Sequence, residues 1–372
     1  MFPSFEKIKQ IAAEGNFKRI PICRELYADC FTPVEVMRIL RKASRHCYLL
    51  ESASQTEVWG RYSFLGYDPT LEITCTDGNL VIRRTGMDNT DCIRERVTHP
   101  GDTIRKILER YRSPVMEELP PFTGGLVGYF SYDYIKYSEP KLKLEHGEQQ
   151  DFRDMDLMLF DSVIAFDHYR QKVLLITGVM PEEGEKSYED ARRRLEEMAA
   201  LLRTGEKEAF RPLRLQSEIR PQFPEEQYCQ MVEKARHYIR EGDIFQVVLS
   251  NPMRAKVTGT IREDCDSVDA VDAILPAGTL SGAPKFRACQ IIEELEQSKR
   301  GIYGGAIGYL DFAGNMDVCI AIRLVYKKKD EICIRSGAGI VADSVPEKEF
   351  QECCNKAKAV VNAILQAQEG LE

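Results

Sequence analysis

The sequence predicts a protein that mixes helices and strands, and three observations support that prediction. Strand-like segments and amphipathic helical segments alternate along the whole chain of 372 residues without a repeating unit. Consecutive strand-like segments meet at short turn signals such as Asp77-Gly78-Asn79 and Gly314-Asn315, which is typical of antiparallel hairpins. The composition, 43% hydrophobic and 30% charged, is typical of a globular protein with a full core.

The first part of the chain mixes helices and strands up to a polar stretch at residues 203–222, the expected linker. Thr32 and Glu35 form a capping box that predicts a helix over PVEVMRILRKA. The other predicted elements are, in order, strands at CYLLESA and RYSFLGYDP, a hairpin at LEITCTDGNLVIRR, a helix at DTIRKILERYR, a glycine-rich strand at TGGLVGYFSYD, two strands within DLMLFDSVIAFDHYRQKVLLITGV, and a helix at SYEDARRRLEEMAALLRTG.

The second part begins with a predicted helix, PEEQYCQMVEKARHYIREG, which Gly242 ends. A capping box of Ser344 and Glu347 predicts the last helix, and Gly301 is the expected C-cap of the helix before it. Between these points the pattern predicts a strand at DIFQVVLSNPMRAK, the segment VTGTIRED, a helix at SVDAVDAIL, a helix at APKFRACQIIEELEQSKRG, and strands at YGGAIGYLDF, MDVCIAIRLVY and EICIRSGAGIV.

Charge and targeting patterns exclude several classes of function. The net charge of −8, from 51 basic and 59 acidic residues, disfavours a nucleic-acid partner, because binding to phosphates needs clustered positive charge. No apolar run of roughly eighteen residues occurs, so we expect no membrane span. The charged N-terminus lacks the apolar core of a secretion signal, so we expect a cytoplasmic protein with reduced thiols.

The loop LPAGTLSGAPK, residues 275–285, is a candidate anion-binding loop. It carries Gly278, Thr279, Ser281 and Gly282 just before a helix N-terminus, where free N–H groups and the helix dipole favour an anion. Its spacing does not fit the G-x-x-x-x-G-K-[ST] phosphate loop. From these residues alone, a plain connection between two helices is the alternative interpretation.

Two carboxylates on the last predicted helix form a candidate metal site. Glu349 and Glu352 lie three residues apart and therefore share a face, and such a pair can hold a hard cation such as Mg²⁺. Lys356 lies four residues after Glu352 and offers the alternative of an exposed ion pair worth only ~0.3–0.5 kcal/mol.

Three features of the preceding strands are candidates for ligand contact. Arg323 ends the apolar run VCIAIR, and its guanidinium suits bidentate binding of a carboxylate. The segment SGAGIV can present N–H groups to an anion or let two strands pack closely. Tyr303 can donate its hydroxyl to a ligand or cover the core.

Taken together and in order, these segments resemble a known family. The set comprises LPAGTLSGAPK, YGGAIGYLDF, GNMDVCIAIR and GAGIVADSVPEKEFQECCNKAKAV, together with EGDIFQVVLSN, FTGGLVGYFSYD, and YLLESA followed by WGRYSFLG. It is similar to the signature of the chorismate-utilising enzymes and, among them, of anthranilate synthase component I. The resemblance covers nearly all of the chain.

The resemblance implies an architecture and a separate role for each of the two parts of the chain. The fold would be α+β, with large, mostly antiparallel sheets packed as a sandwich and helices outside. Residues 1–205 would form an N-terminal regulatory and partner-binding part. Residues 222–372 would form the chorismate-binding catalytic part.

The resemblance also implies a reaction and its residues. Such enzymes convert chorismate and ammonia to anthranilate and pyruvate in tryptophan biosynthesis, with Mg²⁺ as cofactor and a separate glutamine amidotransferase subunit as the source of ammonia. The matching positions are Thr279, Tyr303, Arg323, Gly337, Ala338 and Gly339 for chorismate, Glu349 and Glu352 for Mg²⁺, and Ser52 for the feedback inhibitor tryptophan.

One large block of the family pattern is absent from this chain, and the join falls near Lys256 and Val257. The absent block holds the strings NPSPY, AGTRPRG and LVDLGRND, a further metal-binding glutamate and the family's acid–base histidine, so no acid–base residue is assigned here. Losing such a group typically costs 10²–10⁴-fold in rate. We therefore expect a poor or inactive enzyme, with sheet edges that the missing strands leave uncovered.

Several alternatives remain open at the level of sequence. The gap is compatible with a gene defect or a defined deletion, with a shortened protein that only binds ligand or partner, and with a chain completed by a second polypeptide. Among enzymes, aminodeoxychorismate synthase component I shares SGAPK and is the alternative. We favour anthranilate synthase because LLESA followed by WGRYSFLG accompanies tryptophan feedback in that family.

Overall fold

The structure is a computed structural model and describes residues 1–51, 60–85, 92–142, 152–209, 214–258, 278–328 and 331–369. Ser52 and the predicted helix SVDAVDAIL lie outside these residues. The helices are α1 (Phe5–Glu14), α2 (Pro33–Ala43), α3 (Gly101–Arg110), α4 (Ile135–Ser138), α5 (Glu185–Thr204), α6 (Glu225–Arg240), α7 (Lys285–Glu296) and α8 (Pro346–Glu369).

The strands run in three antiparallel sheets. They are β1 (Ile20–Tyr27), β2 (Cys47–Glu51), β3 (Tyr62–Tyr67), β4 (Leu71–Thr76), β5 (Asn79–Arg84), β6 (Cys92–Arg96), β7 (Gly125–Phe130), β8 (Met155–Phe160), β9 (Val163–Asp167), β10 (Lys172–Val179), β11 (Arg214–Leu215), β12 (Arg220–Pro221), β13 (Gln246–Thr258), β14 (Gly282–Ala283), β15 (Ala306–Asp311), β16 (Met316–Ile320), β17 (Val325–Lys328) and β18 (Glu331–Ile340).

Two of the sheets pack face to face. The five-stranded sheet has the order β1-β10-β9-β3-β2, and the seven-stranded sheet has the order β16-β15-β7-β8-β4-β5-β6. Between them lies an apolar layer in which the Phe122 ring packs on Phe64 at 5.5 Å and on Tyr309 at 4.3 Å between centroids. Helices α1, α2 and α5 cover the outer face of the five-stranded sheet. The sandwich with outer helices is the architecture that the resemblance implied.

The third sheet, β11-β13-β18-β17 with β12 and β14 paired to β13, positions the candidate site. Helices α6, α7 and α8 bury one of its faces, and Tyr228, Ala288 and Cys353 contribute one fully buried side chain from each helix. Farther along β18, Ile332 and Ile334 pack against Ala357 and Ile364 of α8. Because each buried aliphatic side chain contributes about 1.5–3 kcal/mol, this layer fixes α8 against β18.

The predicted join at Lys256 and Val257 lies inside one continuous strand. β13 pairs with β18 from Val247↔Ile340 to Lys256↔Glu331, and Val257 pairs with Leu215 of β11. Backbone pairing therefore runs through the point where the family pattern is interrupted.

Several sequence predictions are confirmed at the level of elements. Thr32 caps α2, where its hydroxyl accepts from the N–H of Glu35 at 3.2 Å. The β4–β5 hairpin turns at Asp77 and Gly78, with φ values of 49° and 75° that fit a two-residue hairpin loop.

Other predictions at this level are wrong. The segment predicted as two strands forms three, because the chain passes from β8 in one sheet to β9 in the other through Asp161 and Ser162, with no glycine or proline to mark the turn. The helix predicted to end at Gly301 ends at Glu296, because Gln297 takes a left-handed conformation with φ 46°. Ser344 does not begin the last helix, since its hydroxyl accepts from the N–H of Val341 and α8 starts at Pro346.

The strand predicted over MDVCIAIRLVY is interrupted, and this correction concerns the site directly. β16 ends at Ile320 and β17 begins at Val325. Arg323 lies in the connection with a φ of 52°, a backbone conformation that is uncommon for residues other than glycine. Arg323 therefore does not end a strand, and its side chain projects from a turn.

β16 is an exposed edge of the seven-stranded sheet. It pairs with β15 on one side, and within the described part of the chain no strand pairs with its other side. Met316, Ile320 and, just beyond the strand, Ile322 are 41%, 37% and 45% exposed. This edge is consistent with the expectation that the missing block leaves apolar strand surface uncovered.

Candidate active site

The glycine-rich end of β18 turns part of its backbone away from β13. Ser250, opposite Gly337, donates its N–H to Glu296, and Val248, opposite Gly339, donates its N–H to the carbonyl of Ser281. Both positions are thus non-hydrogen-bonded pairs, so the peptide groups of Gly337 and Gly339 point to the opposite side, where β17 pairs only as far as Ile334. The N–H groups of these two glycines point away from β13, whereas the peptide group of Ala338 points toward it.

Tyr303 lies against this strand. It is 2% exposed, and a Cβ added to Gly337 would come within 2.9 Å of its hydroxyl oxygen, so only glycine permits this contact. Burial raises the pKa of Tyr303 to about 12, although the neighbouring Arg300 opposes the shift. The hydroxyl therefore stays protonated at neutral pH and is available as a hydrogen-bond donor.

A buried ion pair holds the surrounding segments in place. The guanidinium of Arg300 and the carboxylate of Glu296 are each 1% exposed and lie 2.5 Å apart. Arg300 also donates to the carbonyl of Leu280 at 2.6 Å and to that of Val248 at 2.5 Å. Burial alone would lower the pKa of Arg300, but the attraction of Glu296 raises it overall, so the guanidinium stays charged. Sequence reasoning missed this pair, because an i,i+4 pair at a helix end has the pattern of an exposed one.

The loop LPAGTLSGAPK lies along β13 in its described portion, residues 278–285. The carbonyl of Ser281 accepts from the N–H of Val248, and Gly282 pairs with Val247. A Cβ on Gly282 would lie 2.0 Å from the carbonyl oxygen of Gln246, so glycine is required at this close approach. Thr279 is exposed in the turn Gly278–Leu280, which packs beside β18. The loop is therefore more than a plain connection, since it forms part of the third sheet.

An open cleft of about 580 Å³ joins Arg323 to the last helix. Its lining residues are Arg323, Lys348, Gln351, Glu352, Asn355, Lys356 and Ala359. Lys356 connects the cleft to the glycine strand, because its Nζ lies 2.5 Å from Glu352 Oε1 and donates to the carbonyl of Gly337 at 3.0 Å. Arg323, Glu352, Gly337 and Tyr303 thus form one contiguous region.

The charge of this cleft favours an anion. Three of its lining side chains are cationic (Arg323, Lys348 and Lys356), and Glu352 is the one carboxylate among the described lining residues. The surplus of positive charge faces solvent at an open site, where it would attract an anionic ligand.

The predicted metal ligands are only partly brought together. Glu352 lines the cleft, but Glu349 is not among the lining residues, and Glu352 is engaged by Lys356. In the described ranges no three acidic, histidine or cysteine side chains come together as a metal site. The cleft therefore offers Mg²⁺, which takes oxygen ligands, a single carboxylate that is already paired with a lysine.

Comparison with known proteins defines the class to which this fold and site belong. The profile of the chorismate binding enzyme family matches residues 45–256 and 253–362. The chain therefore belongs to the family of chorismate-binding enzymes. In the part of the chain that the structure describes, no helix is both long and apolar enough to cross a membrane.

Individual relatives of the chain have names that are more specific than the family name. The chain is similar to anthranilate synthase component 1 of Acetivibrio thermocellus, with 31% identity across 99% of each chain, and of Neisseria gonorrhoeae, with 30% identity across 98% of each. Its fold matches anthranilate synthase component I from Streptococcus pneumoniae with a TM-score of 0.66 at 24% identity, covering 90% of this chain and 98% of that one. A menaquinone-specific isochorismate synthase from Escherichia coli matches with a TM-score of 0.58 at 14% identity, covering 97% of this chain and 99% of the other.

The same comparisons locate the missing block. The alignment with the Acetivibrio relative runs over 499 positions, whereas this chain has 372 residues, so the relative contains a long block that is absent here. The two matched segments of the family profile meet at residues 253–256. The predicted join at Lys256 and Val257 agrees with that point.

Proposed function

We propose that this chain is the chorismate-converting component of an anthranilate synthase, which forms anthranilate and pyruvate from chorismate and ammonia in tryptophan biosynthesis. The observation that carries the proposal is the cationic cleft lined by Arg323 and Lys356, which lies beside Gly337 because Lys356 donates to the carbonyl of Gly337. It lies in a chain that is 31% identical along nearly its full length to a protein of that name.

The described residues supply binding and orientation. Arg323 binds one carboxylate of chorismate through its guanidinium, a geometry that suits planar anions. The outward N–H groups of Gly337 and Gly339 and the protonated hydroxyl of Tyr303 bind further substrate oxygens. Thr279 borders the same strand from its loop. No described residue is assigned the acid–base step.

We further propose that Mg²⁺ binds at Glu352 with Glu349 beside it. The support is the hard oxygen chemistry of two carboxylates on one helix face. When bound, the ion would neutralise substrate carboxylates and polarise their oxygens as a Lewis acid. The proposal extends to a glutamine amidotransferase subunit as the ammonia donor and to tryptophan as an inhibitor at Ser52, which lies outside the described residues.

The test is formation of anthranilate, followed by its fluorescence, with chorismate, Mg²⁺ and excess ammonium. We expect turnover at least about 10²-fold below that of a full-length relative, because the acid–base group is missing. Inserting the absent block of the Acetivibrio protein between Lys256 and Val257 should restore product formation, and Arg323→Ala in that restored chain should abolish it.

Turnover of the unaltered chain close to that of a full-length relative would support the anthranilate synthase reaction but contradict the expected loss of rate, because it would show that the block is dispensable. A restored chain that forms aminodeoxychorismate or isochorismate, detected by chromatography, would assign the chain to a different reaction of the same family.

A further inference from the structure

Within the described part of the chain, Arg323 has no side-chain partner that fixes its position in the cleft. The residue is exposed, and no described group forms a hydrogen bond or an ion pair with its guanidinium. A free arginine side chain samples many rotamers, so the point from which it reaches the cleft is set by its backbone. That backbone has a φ of 52°, which is uncommon for a residue other than glycine.

The connection that carries Arg323 is attached on both sides. On one side, Ala321 donates its N–H to the carbonyl of Gly305 and accepts from the N–H of Gly304, each at 2.9 Å. On the other side, the first residue of β17 pairs with β18. An unfavourable backbone conformation persists only where the surrounding structure imposes it, and these two attachments impose it on Arg323.

The same two backbone bonds link Arg323 to another proposed substrate contact. Gly304 and Gly305 directly follow Tyr303, whose hydroxyl lies against β18. The segment is itself a tight turn, closed by a hydrogen bond of 2.9 Å from the N–H of Gly305 to the carbonyl three residues earlier. The separation of Tyr303 and Arg323 therefore depends on this turn and on its two bonds to Ala321.

The turn requires glycine at position 304. Gly304 has a φ of 80°, and a Cβ there would lie 3.2 Å from the ring of Tyr132, which is 2% exposed. A side chain would strain the backbone and press on a ring with little room to move, so it would shift the turn. Gly314, between β15 and β16, has a similar φ of 90°, but no neighbouring atom lies within 4 Å of a Cβ there.

We propose that Gly304 is a positioning residue for Arg323, because its bond to Ala321 fixes the turn from which the guanidinium reaches a substrate carboxylate. The proposal rests on the proposed function of the cleft, which gives Arg323 a carboxylate to bind. A turn that is fixed in advance removes the entropic cost of ordering the connection when the substrate binds. Loosening it should therefore weaken binding, although every side chain that touches the substrate is still present.

The experiment measures chorismate binding to the whole chain by isothermal titration calorimetry. Arg323→Ala removes the carboxylate contact, and we expect binding to weaken about tenfold or more. Gly304→Ala should weaken binding about fivefold or more. Gly314→Ala is the matched control, which should lower the melting temperature by a similar amount and leave the affinity unchanged within about twofold.

A double-mutant cycle separates positioning from a general loss of structure. If Gly304 acts through Arg323, adding Gly304→Ala to Arg323→Ala should not weaken binding further, whereas independent effects would add. Ala321→Gly is a second variant, which keeps both backbone bonds but frees the backbone two residues before Arg323. We expect it to weaken binding, and we expect that effect also to vanish without Arg323.

The outcomes separate this proposal from the proposed function. If Arg323→Ala weakens binding but Gly304→Ala does not, if Gly314→Ala weakens it equally, or if the loss in Gly304→Ala persists without Arg323, the positioning role is wrong and the proposed function stands. If the unaltered chain binds no chorismate, or if Arg323→Ala binds it as tightly, the carboxylate contact fails and the positioning role fails with it. If Gly304→Ala does not fold, Ala321→Gly decides by the same cycle.

Discussion

At the scale of single residues, two buried side chains organise three segments of the site. Arg300 reaches the loop through the carbonyl of Leu280 and reaches β13 through that of Val248, while Glu296 accepts the N–H and hydroxyl of Ser250. The loop beside Thr279 and the strand opposite Gly337 therefore share one support. Tyr303 lies on the same support, since its N–H donates to the carbonyl of Arg300.

Removing one charge of the buried Arg300–Glu296 ion pair should destabilise the whole chain. Glu296→Gln leaves the guanidinium of Arg300 buried and unpaired, and we expect the free energy of unfolding to fall by roughly 3–5 kcal/mol. The control is Glu189→Gln, which breaks the exposed pair with Arg192 and should leave stability nearly unchanged, because such a pair is screened by solvent. Urea denaturation of both variants measures the difference, and equal losses would show that Glu296 has no special role.

The site residues were predictable from sequence to different extents. Arg323 and Glu352 were expected in one pocket, and the structure places both in the same cleft. The outward orientation of Gly337 and Gly339, and the contact of Lys356 with Gly337, depend on strand register and helix packing. Register is a property of two segments distant in sequence, so the motif around either residue carries no signal for it.

At the scale of elements, the two edges of the seven-stranded sheet differ in their protection. β6 carries Arg94, Glu95 and Arg96 in succession, and exposed charge of this kind opposes pairing with another chain. β16 instead exposes Met316 and Ile320 beside a single acidic residue, Asp317. We expect the missing block to cover β16, because a strand that is covered needs no charged protection.

We expect the exposed edge strand β16 to cause self-association, and we expect one charged substitution on that strand to suppress it. We expect the chain to associate as its concentration rises, because an apolar edge strand offers unpaired backbone groups to a second molecule. Ile320→Lys should shift the chain to monomer, whereas Ile93→Lys on the charged β6 edge should have no such effect. Sedimentation velocity over a concentration series measures both, and a wild-type chain that stays monomeric throughout would refute the expectation.

Two elements with local signals were predicted correctly, although the Ser344 capping box and the Gly301 C-cap, which are also local signals, gave wrong helix ends. The Thr32 cap and the Asp77-Gly78 turn depend on chemistry within four residues, and both are confirmed. The crossing at Asp161 and Ser162, the left-handed Gln297 and the turn at Arg323 depend on contacts that sequence periodicity does not report. Tertiary packing decided these three positions against the local pattern.

At the scale of the whole molecule, the antiparallel sandwich was expected from the family resemblance rather than from periodicity. The alternation of strands and helices alone does not give the order in which strands pair. The alternation gave no indication that β7, near the middle of the first part, pairs with β15 of the second part. The division into a regulatory part, residues 1–205, and a catalytic part, residues 222–372, stays a prediction about roles.

The pairing of β7 with β15 should also hold the two parts of the chain together after a protease cleaves between them. Lys207 is exposed just after α5, so limited digestion with trypsin should cleave there and leave two fragments. The fragments would still share the seven-stranded sheet from Leu126↔Leu310 to Phe130↔Ala306. We expect them to co-elute in gel filtration and to separate only in denaturant, so that two halves expressed from separate genes could reassemble into one body. Separation in native buffer would show that the shared sheet does not hold them.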